Sequence, residues 1–253
     1  MRRNIYTRKN ITNLIKIPWI YYNENLWLIS YSVDWQNWIT IADKNLWATQ
    51  VYNYWDVMTE ANCWKYYQWW NNYGFAFSGA TQTDSNSIDA SNYWPWNYYS
   101  SDVFITTNPR DNSDNHNIWG WISGLVTDRQ GPCPEWWHIP RFTEWKDIVD
   151  YWWNNWIWTN DADAFTSVLK IPQSWVLDPS NGQPNLTGSS WYYWTATRQS
   201  VGYTYSLIFY ANYISPHDNI WGSDPQNYGF PIRPFKDIPV QPDITRTILH
   251  QSN

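Results

Sequence analysis

The stretch from Ser200 to Ile220 holds the side chains best suited to chemistry: Tyr203, Tyr205, Tyr210, Asn212, Tyr213, Ser215, His217, Asp218 and Asn219. Tyrosine offers broad, rigid contact at low entropic cost, and Asn and Ser supply adaptable hydrogen bonds. That set suits recognition of a protein or glycan surface better than bond making. An ordinary Tyr-rich strand and loop has the same composition, so both readings stay open. Tyr205, Leu207 and Phe209 share one face of an alternating run. With Leu207 and Phe209 as buried partners, Tyr210, Asn212 and Tyr213 are expected to point outward.

Other chemistries find weaker footing. His116, His138, His217 and His250 are dispersed and have no metal-ligand spacing. His138 reads as a core-edge histidine with a satisfied hydrogen bond. Asp111-Asn112-Ser113-Asp114-Asn115 carries oxygen ligands, yet works equally well as a solvated turn. Gln183-Pro184-Asn185 and Gln241-Pro242-Asp243 look superficially like the tripeptides with which calcium-dependent lectins contact sugars. Neither is followed by Trp-Asn-Asp, and calcium needs about six to eight oxygens in one place. No Ser/His/Asp set, phosphate loop or carboxylate dyad stands out, so neither a catalytic residue nor a cofactor is expected. Cys63 and Cys133 allow one bridge at most, and two buried free thiols are an equal alternative.

Charge and hydropathy narrow the partners. The net charge is −6 with pI near 5.1 and no basic cluster to neutralise phosphates, which argues against nucleic acid. No apolar run is long enough to span a bilayer. The segment after Met1 to Arg3 is broken by Asn13, Lys16 and Pro18 before an export-type hydrophobic core develops.

The elements that must position the Tyr-rich stretch follow from periodicity. Residues 1–30 show no sustained period and read as a strand-poor leader or upstream remnant. A β-prone run, Trp38 to Ala42, comes next, and Thr59 as N-cap predicts a helix toward Trp69. Ser78 to Asn117 is polar and reads as surface loop with one strand at Val103 to Thr107. After Pro140, Trp145, Ile148, Val149 and Trp152 recur at helical spacing, and a second helix is expected from Ala162 to Leu169. Beyond Gly188 the period becomes two, through Tyr193 to Thr197 and Tyr205 to Phe209. A closing strand, Tyr228 to Phe235, is expected, with Pro231 and Pro234 suggesting an edge or strand-end position. Residues 238–253 read as a peripheral tail, which leaves one domain from 31 to 237.

Gly131-Pro132-Cys133-Pro134-Glu135-Trp136-Trp137-His138-Ile139-Pro140, followed by Phe142-Thr143-Glu144-Trp145, resembles the signature of the Fibrobacter succinogenes major paralogous domain family. Trp38 to Leu46, Lys65 to Trp69 and Tyr228 to Arg233 agree with it, so the resemblance runs from about residue 35 to 237. It implies an α+β, C-type-lectin-like fold: a small twisted antiparallel sheet with two helices and extensive loops. It also implies a surface-displayed or secreted bacterial binding domain whose partner is a protein or glycan on another cell. The family is similar to the variable proteins of diversity-generating retroelements, in which adenines of asparagine codons are randomised. Such outcomes exclude Trp, Lys, Glu, Gln and Met, and none of the five occurs from residue 200 to 220. A static surface domain of the same family is the alternative. The formylglycine-generating enzymes share this fold, but their chemistry rests on C-terminal cysteines, and none follows Cys133 here. Arg141 replaces the hydroxyl residue expected to cap the helix, which weakens a capping box with Glu144. Pro234 stands where relatives carry a cysteine after the arginine, so the implied bridge from that strand to Cys133 is missing.

The composition adds a departure of another kind. The chain has 24 Trp and only 10 Gly, where average usage gives roughly 18 glycines in a chain of this length. The resemblance implies glycine at Trp47, Trp64, Trp70, Trp136 and Trp191, and turn context extends the suspicion to Trp35, Trp55, Trp121 and Trp175. Some lineages read UGA as glycine, and a gene from one of them, translated with UGA as tryptophan, yields this pattern. Genuine core or stacking tryptophans are the alternative. In the pairs Trp69-Trp70 and Trp136-Trp137, Trp69 and Trp137 are the expected genuine members.

Overall fold

Three short runs rich in aromatic and β-branched residues open the fold as a meander. β1 (Trp19–Asn23) pairs antiparallel with β2 (Leu28–Ser32), which pairs antiparallel with β3 (Trp38–Ala42). The computed structural model describes residues 19–23, 28–32, 38–52, 56–63, 65–85, 100–107, 119, 129–154, 171–172, 174–185, 190–200, 202–210 and 221–237. Residues 19–32 therefore depart from the strand-poor leader expected for 1–30, and position 30 falls inside β2. Each run is only five residues long, too short for its alternation to register in the sequence. A third strand gives such a pair the partner it needs.

Most of the remaining described strands have only two or three residues. β4 (Gln82–Asp84) and β5 (Val103–Ile105) form a parallel pair. β6 (Trp137–His138) extends the first sheet, and β7 (Val176–Leu177) pairs with β8 (Pro184–Asn185). A three-stranded antiparallel sheet comprises β9 (Ser190–Ser200), β10 (Tyr203–Tyr210) and β11 (Trp221–Pro225), with β10 central. β12 (Phe235–Lys236) closes the first sheet, in the order β1-β2-β3-β12-β6. Among the described residues the helices are α1 (Glu60–Cys63) and α2 (Phe142–Asn154). This is a small mixed α/β protein with few helices and several small, mainly antiparallel sheets.

The closing segment lies in the middle of the molecule rather than at an edge. β12 sits between β3 and β6, with Phe235 opposite Ile41 on one side and His138 on the other. Upstream, Phe230 bridges Tyr67, and Ile232 accepts a hydrogen bond from Leu46. Pro231 and Pro234 fit there because proline lacks only its donor. The Pro231 carbonyl accepts from Trp194 N–H at 3.1 Å, and the Pro234 carbonyl accepts from Ala42 N–H at 3.1 Å. Buried Arg233 donates from Nη1 to the Ala42 carbonyl at 2.9 Å.

α2 forms where the helical spacing predicts it, with Trp145, Ile148 and Val149 buried. Its start is capped from two sides. The Glu144 carboxylate accepts from the Arg141 N–H at 2.7 Å, half of a capping box. Arg141 has no hydroxyl for the other half, and Thr197 of β9 supplies one, accepting the Phe142 N–H at 3.0 Å. Opposite Tyr205, β9 carries extra residues: Thr204 pairs with Arg198 and Ser206 with Trp194, so Thr195 to Thr197 bulge out of the ladder. The freed groups find other partners. The Ala196 N–H bonds the Pro140 carbonyl at 2.8 Å, and the Thr195 carbonyl takes the Trp69 indole N–H at 2.9 Å.

The helix expected from Thr59 to Trp69 is reduced to the single turn of α1. Tyr66 and Tyr67 instead extend to bridge Phe75 and Phe230, partners too distant in sequence for propensity to anticipate. β4 is a second strand in the region expected to hold one. Cys63 and Cys133 are both free and buried. The segment Ala162 to Leu169 and the tail 238–253 lie outside the described residues. Replacing Thr197 by Val removes the borrowed cap while keeping shape. Chemical denaturation should show a loss of about 1 kcal/mol, with a thermal midpoint about 2–4 °C lower.

Candidate functional site

The sheet β9-β10-β11 carries the residues singled out for recognition, and its two faces are unlike. One face of β10 is buried from Thr204 to Ile208, with Thr204 and Ser206 at 0% exposure and Ile208 at 4%. Polar groups there are paired: the Ser206 hydroxyl donates to the Asp224 carboxylate of β11, and the Gln226 amide to the Thr204 hydroxyl at 3.4 Å. On the other face Tyr203 is exposed, Tyr205 is half-buried and Leu207 is fully buried. Leu207 is buried as expected, but the alternate face, expected to look outward, is buried as well at Thr204, Ser206 and Ile208, because β10 is the central strand with the body of the protein behind it. The side chain of Phe209 lies outside the described residues. Tyr205 stacks on Phe142 at 4.4 Å between ring centroids, so the entrance of α2 covers part of this face.

Tyr203 lies opposite Ser200 and Pro225, at the end of the sheet where β9 turns into β10. Exposed Gln199 and Ser223 are hydrogen bonded to each other across that end, Ser223 Oγ to Gln199 Oε1. Neither was singled out from sequence, since pairing of β9 with β11 across β10 brings them together. Tyr210 occupies the far end of β10, opposite Ser190, and its side chain lies outside the described residues. So do Asn212, Tyr213, Ser215, His217, Asp218 and Asn219. The described part of the candidate face is therefore Tyr203 and Tyr205, with Gln199 and Ser223 beside them.

A carboxyl tunes this sheet. Burial raises Asp224 from 3.8 to about 6, against the lowering effect of the Ser206 hydrogen bond. A second set of ionisable groups lies at the start of α2. His138 places Nδ1 2.8 Å from Asp237 Oδ1 and Nε2 3.2 Å from Glu144 Oε1, as expected of a histidine at the core edge with its hydrogen bonds met. Arg129 adds two contacts to Glu144, Nη1 to Oε2 at 2.5 Å and Nη2 to Oε1 at 3.3 Å. Burial alone raises the Glu144 carboxyl, but hydrogen bonds from His138 and Arg129 and their charge outweigh it and hold the group at about 2. The network ties β6, α2 and the end of β12 together. With the Glu144 carboxylate also capping α2, it has the form of a structural clamp.

Thiol chemistry finds no support. Burial pushes Cys63 up to about 12 despite the opposing charge of Arg233, and burial likewise raises Cys133. Reactive thiols need the thiolate and access to solvent. Among the described residues no group of three or more His, Cys, Asp or Glu is placed to hold a metal ion. No helix among them is long and apolar enough to cross a membrane. The chain matches no known protein family, no curated protein and no solved structure.

The two displaced carboxyls predict opposite pH behaviour. Asp224 binds a proton in the fold that the unfolded chain releases between 3.8 and about 6, so its contribution falls as pH rises through that window. Asp224→Asn should remove this fall and add about 1 kcal/mol at pH 7. For Glu144 the folded value lies below the ordinary 4.5, so its stabilisation is complete above 4.5 and lost as pH falls toward 2. Glu144→Gln should cost about 2 kcal/mol at pH 7 and flatten the acid limb in denaturation curves taken from pH 2 to 5.

Proposed function

We propose that this chain is a non-enzymatic recognition domain of the C-type-lectin-like class, displayed at or beyond a bacterial cell surface. Its binding face is the outward side of β10 and the residues after it, from Tyr203 to Asn219, and its partner is a protein or glycan on another cell. The observation that carries the reading is the contrast between the faces of β10. Thr204, Ser206 and Ile208 are buried against the body of the protein, while Tyr203 stands exposed beside Gln199 and Ser223. A rigid sheet whose inner side is locked tolerates exchange of its outer side chains, as a diversified binder requires.

The lectin-type reading is further supported by the packing of its signature segments. Cys133 and Ile139 share one hydrophobic cluster with Phe230 and Ile232, and Trp145 packs edge-on against Phe235 at 4.9 Å. Buried cysteines with raised pKa disfavour an oxidative enzyme of the formylglycine-generating type. One observation favours the static alternative locally: Tyr205 is engaged by Phe142, a structural contact that a randomised position does not need.

Binding to an array of glycans and bacterial surface proteins tests the face. Tyr203→Ala and Tyr213→Ala should each weaken the retained signal about tenfold, the loss typical of a buried aromatic anchor. Unchanged binding in both refutes the assignment. A near-copy of codons 190–236 beside a reverse transcriptase gene, differing at template adenines, is expected of the diversified form; without it the domain is static.

A further inference from the structure

Among the described residues, three that are not glycine have positive φ, and all three are tryptophan: Trp47 at 65°, Trp119 at 47° and Trp136 at 67°. Tryptophan makes up 24 of 253 residues, so strain falling at random would seldom select it even twice, and Trp119 is set apart from the other two by its packing. Where non-glycine residues adopt this region, Asn and Asp dominate, and a bulky aromatic there is an outlier.

Trp47 and Trp136 also share a turn geometry. The Ala48 N–H bonds the Asn45 carbonyl at 2.9 Å, and the Trp137 N–H bonds the Pro134 carbonyl at 3.1 Å. Each tryptophan is thus the third residue of a hydrogen-bonded four-residue turn, and in each turn only that residue has positive φ. This is the type II pattern, whose third position calls for glycine. Neither indole rewards the strained backbone with packing. Trp47 is 53% exposed and Trp136 58%, the exposed tryptophans among the residues whose side chains are described.

The other tryptophans behave differently. The indole N–H groups of Trp69, Trp119 and Trp194 donate to Thr195 O at 2.9 Å, Asn72 Oδ1 at 2.8 Å and Tyr67 O at 2.6 Å, and all three rings are buried. Trp119 therefore has the unusual backbone but uses its side chain. Trp137, next to Trp136, packs against the core beneath Lys236 Nζ at 5.6 Å. Trp70 and Trp175 are packed with ordinary backbone angles, although the buried Trp70 Nε1, like that of Trp145, has no hydrogen-bond partner.

We infer that glycine is the natural residue at positions 47 and 136, and that Trp69, Trp119, Trp137 and Trp194 are genuine. One codon accounts for the exchange. UGA is read as tryptophan under some codes and as glycine under others, so a gene of the second kind translated by the first rule places tryptophan in glycine turns. The surplus of tryptophan and the shortage of glycine follow from the same substitution.

The source gene should carry UGA at codons 47 and 136, and UGG at codons 69 and 194. UGG at 47 or 136 overturns the inference, as does UGA at 69 or 194. Stability gives an independent readout on the chain as written. Trp47→Gly and Trp136→Gly should each raise the folded-to-unfolded ratio about tenfold over the matching Trp→Ala variant, because alanine removes the indole but keeps the Cβ that opposes positive φ. Trp69→Gly should lower the ratio. Glycine no better than alanine at both turns overturns the inference.

Discussion

The fold depends on the bulge in β9. By stepping out of the ladder opposite Tyr205, Thr195 to Thr197 release backbone and hydroxyl groups that a regular strand would consume. Each is taken up by a different part of the chain: Ala196 by Pro140, Thr197 by the first turn of α2, and Thr195 by the indole of Trp69. Just before the bulge, Trp194 bonds Pro231 through its backbone and Tyr67 through its ring. Buried polar groups must be paired, and here pairing them fixes where α2, the Tyr67 to Trp69 segment and the closing chain sit around β10. The unevenness of β10, buried on one side and partly open on the other, is a result of that arrangement.

Aromatic residues dominate the core, yet their polar atoms give it a defined geometry. Trp69 and Trp194 are fully buried and cross-linked by hydrogen bonds to strands far away in sequence. Phe230 lies between Trp194 at 4.2 Å and Tyr192 at 4.9 Å. Rings with a fixed donor accept fewer packings than aliphatic side chains of similar size. At the start of α2 the Glu144 clamp works by charge rather than by shape, and the two devices meet at residues 138–145.

The sequence was most legible where periodicity is sustained. α2, β3, β5, β9 and β10 all lie where spacing puts them, and Leu207 is buried as its alternation requires. It was least legible where distant partners decide. β1 and β2 are too short to declare themselves, and the Tyr66 to Trp69 segment abandons helix for bridges to Phe75 and Phe230. Of the two positions that Pro231 and Pro234 suggested, an edge or a strand end, the structure has the second: both precede β12, which lies inside the sheet, and their carbonyls still accept hydrogen bonds. In the candidate site, Tyr203 faces outward while Tyr205 is taken up by Phe142, a contact between positions 63 residues apart that no local pattern reveals. Gln199 and Ser223 were missed for the same reason.

The central place of β12 has a consequence for synthesis. Phe235 inserts between Ile41 and His138, so the first sheet lacks its middle until residue 235 has left the ribosome, almost two hundred residues after β3. Meanwhile the β1-β2-β3 meander presents an open edge along β3 to the crowded surroundings of the tunnel exit. Such an edge invites pairing with neighbouring nascent chains. Emergence of Phe235 and Lys236 is therefore the event that completes the first sheet and covers the edge of β3.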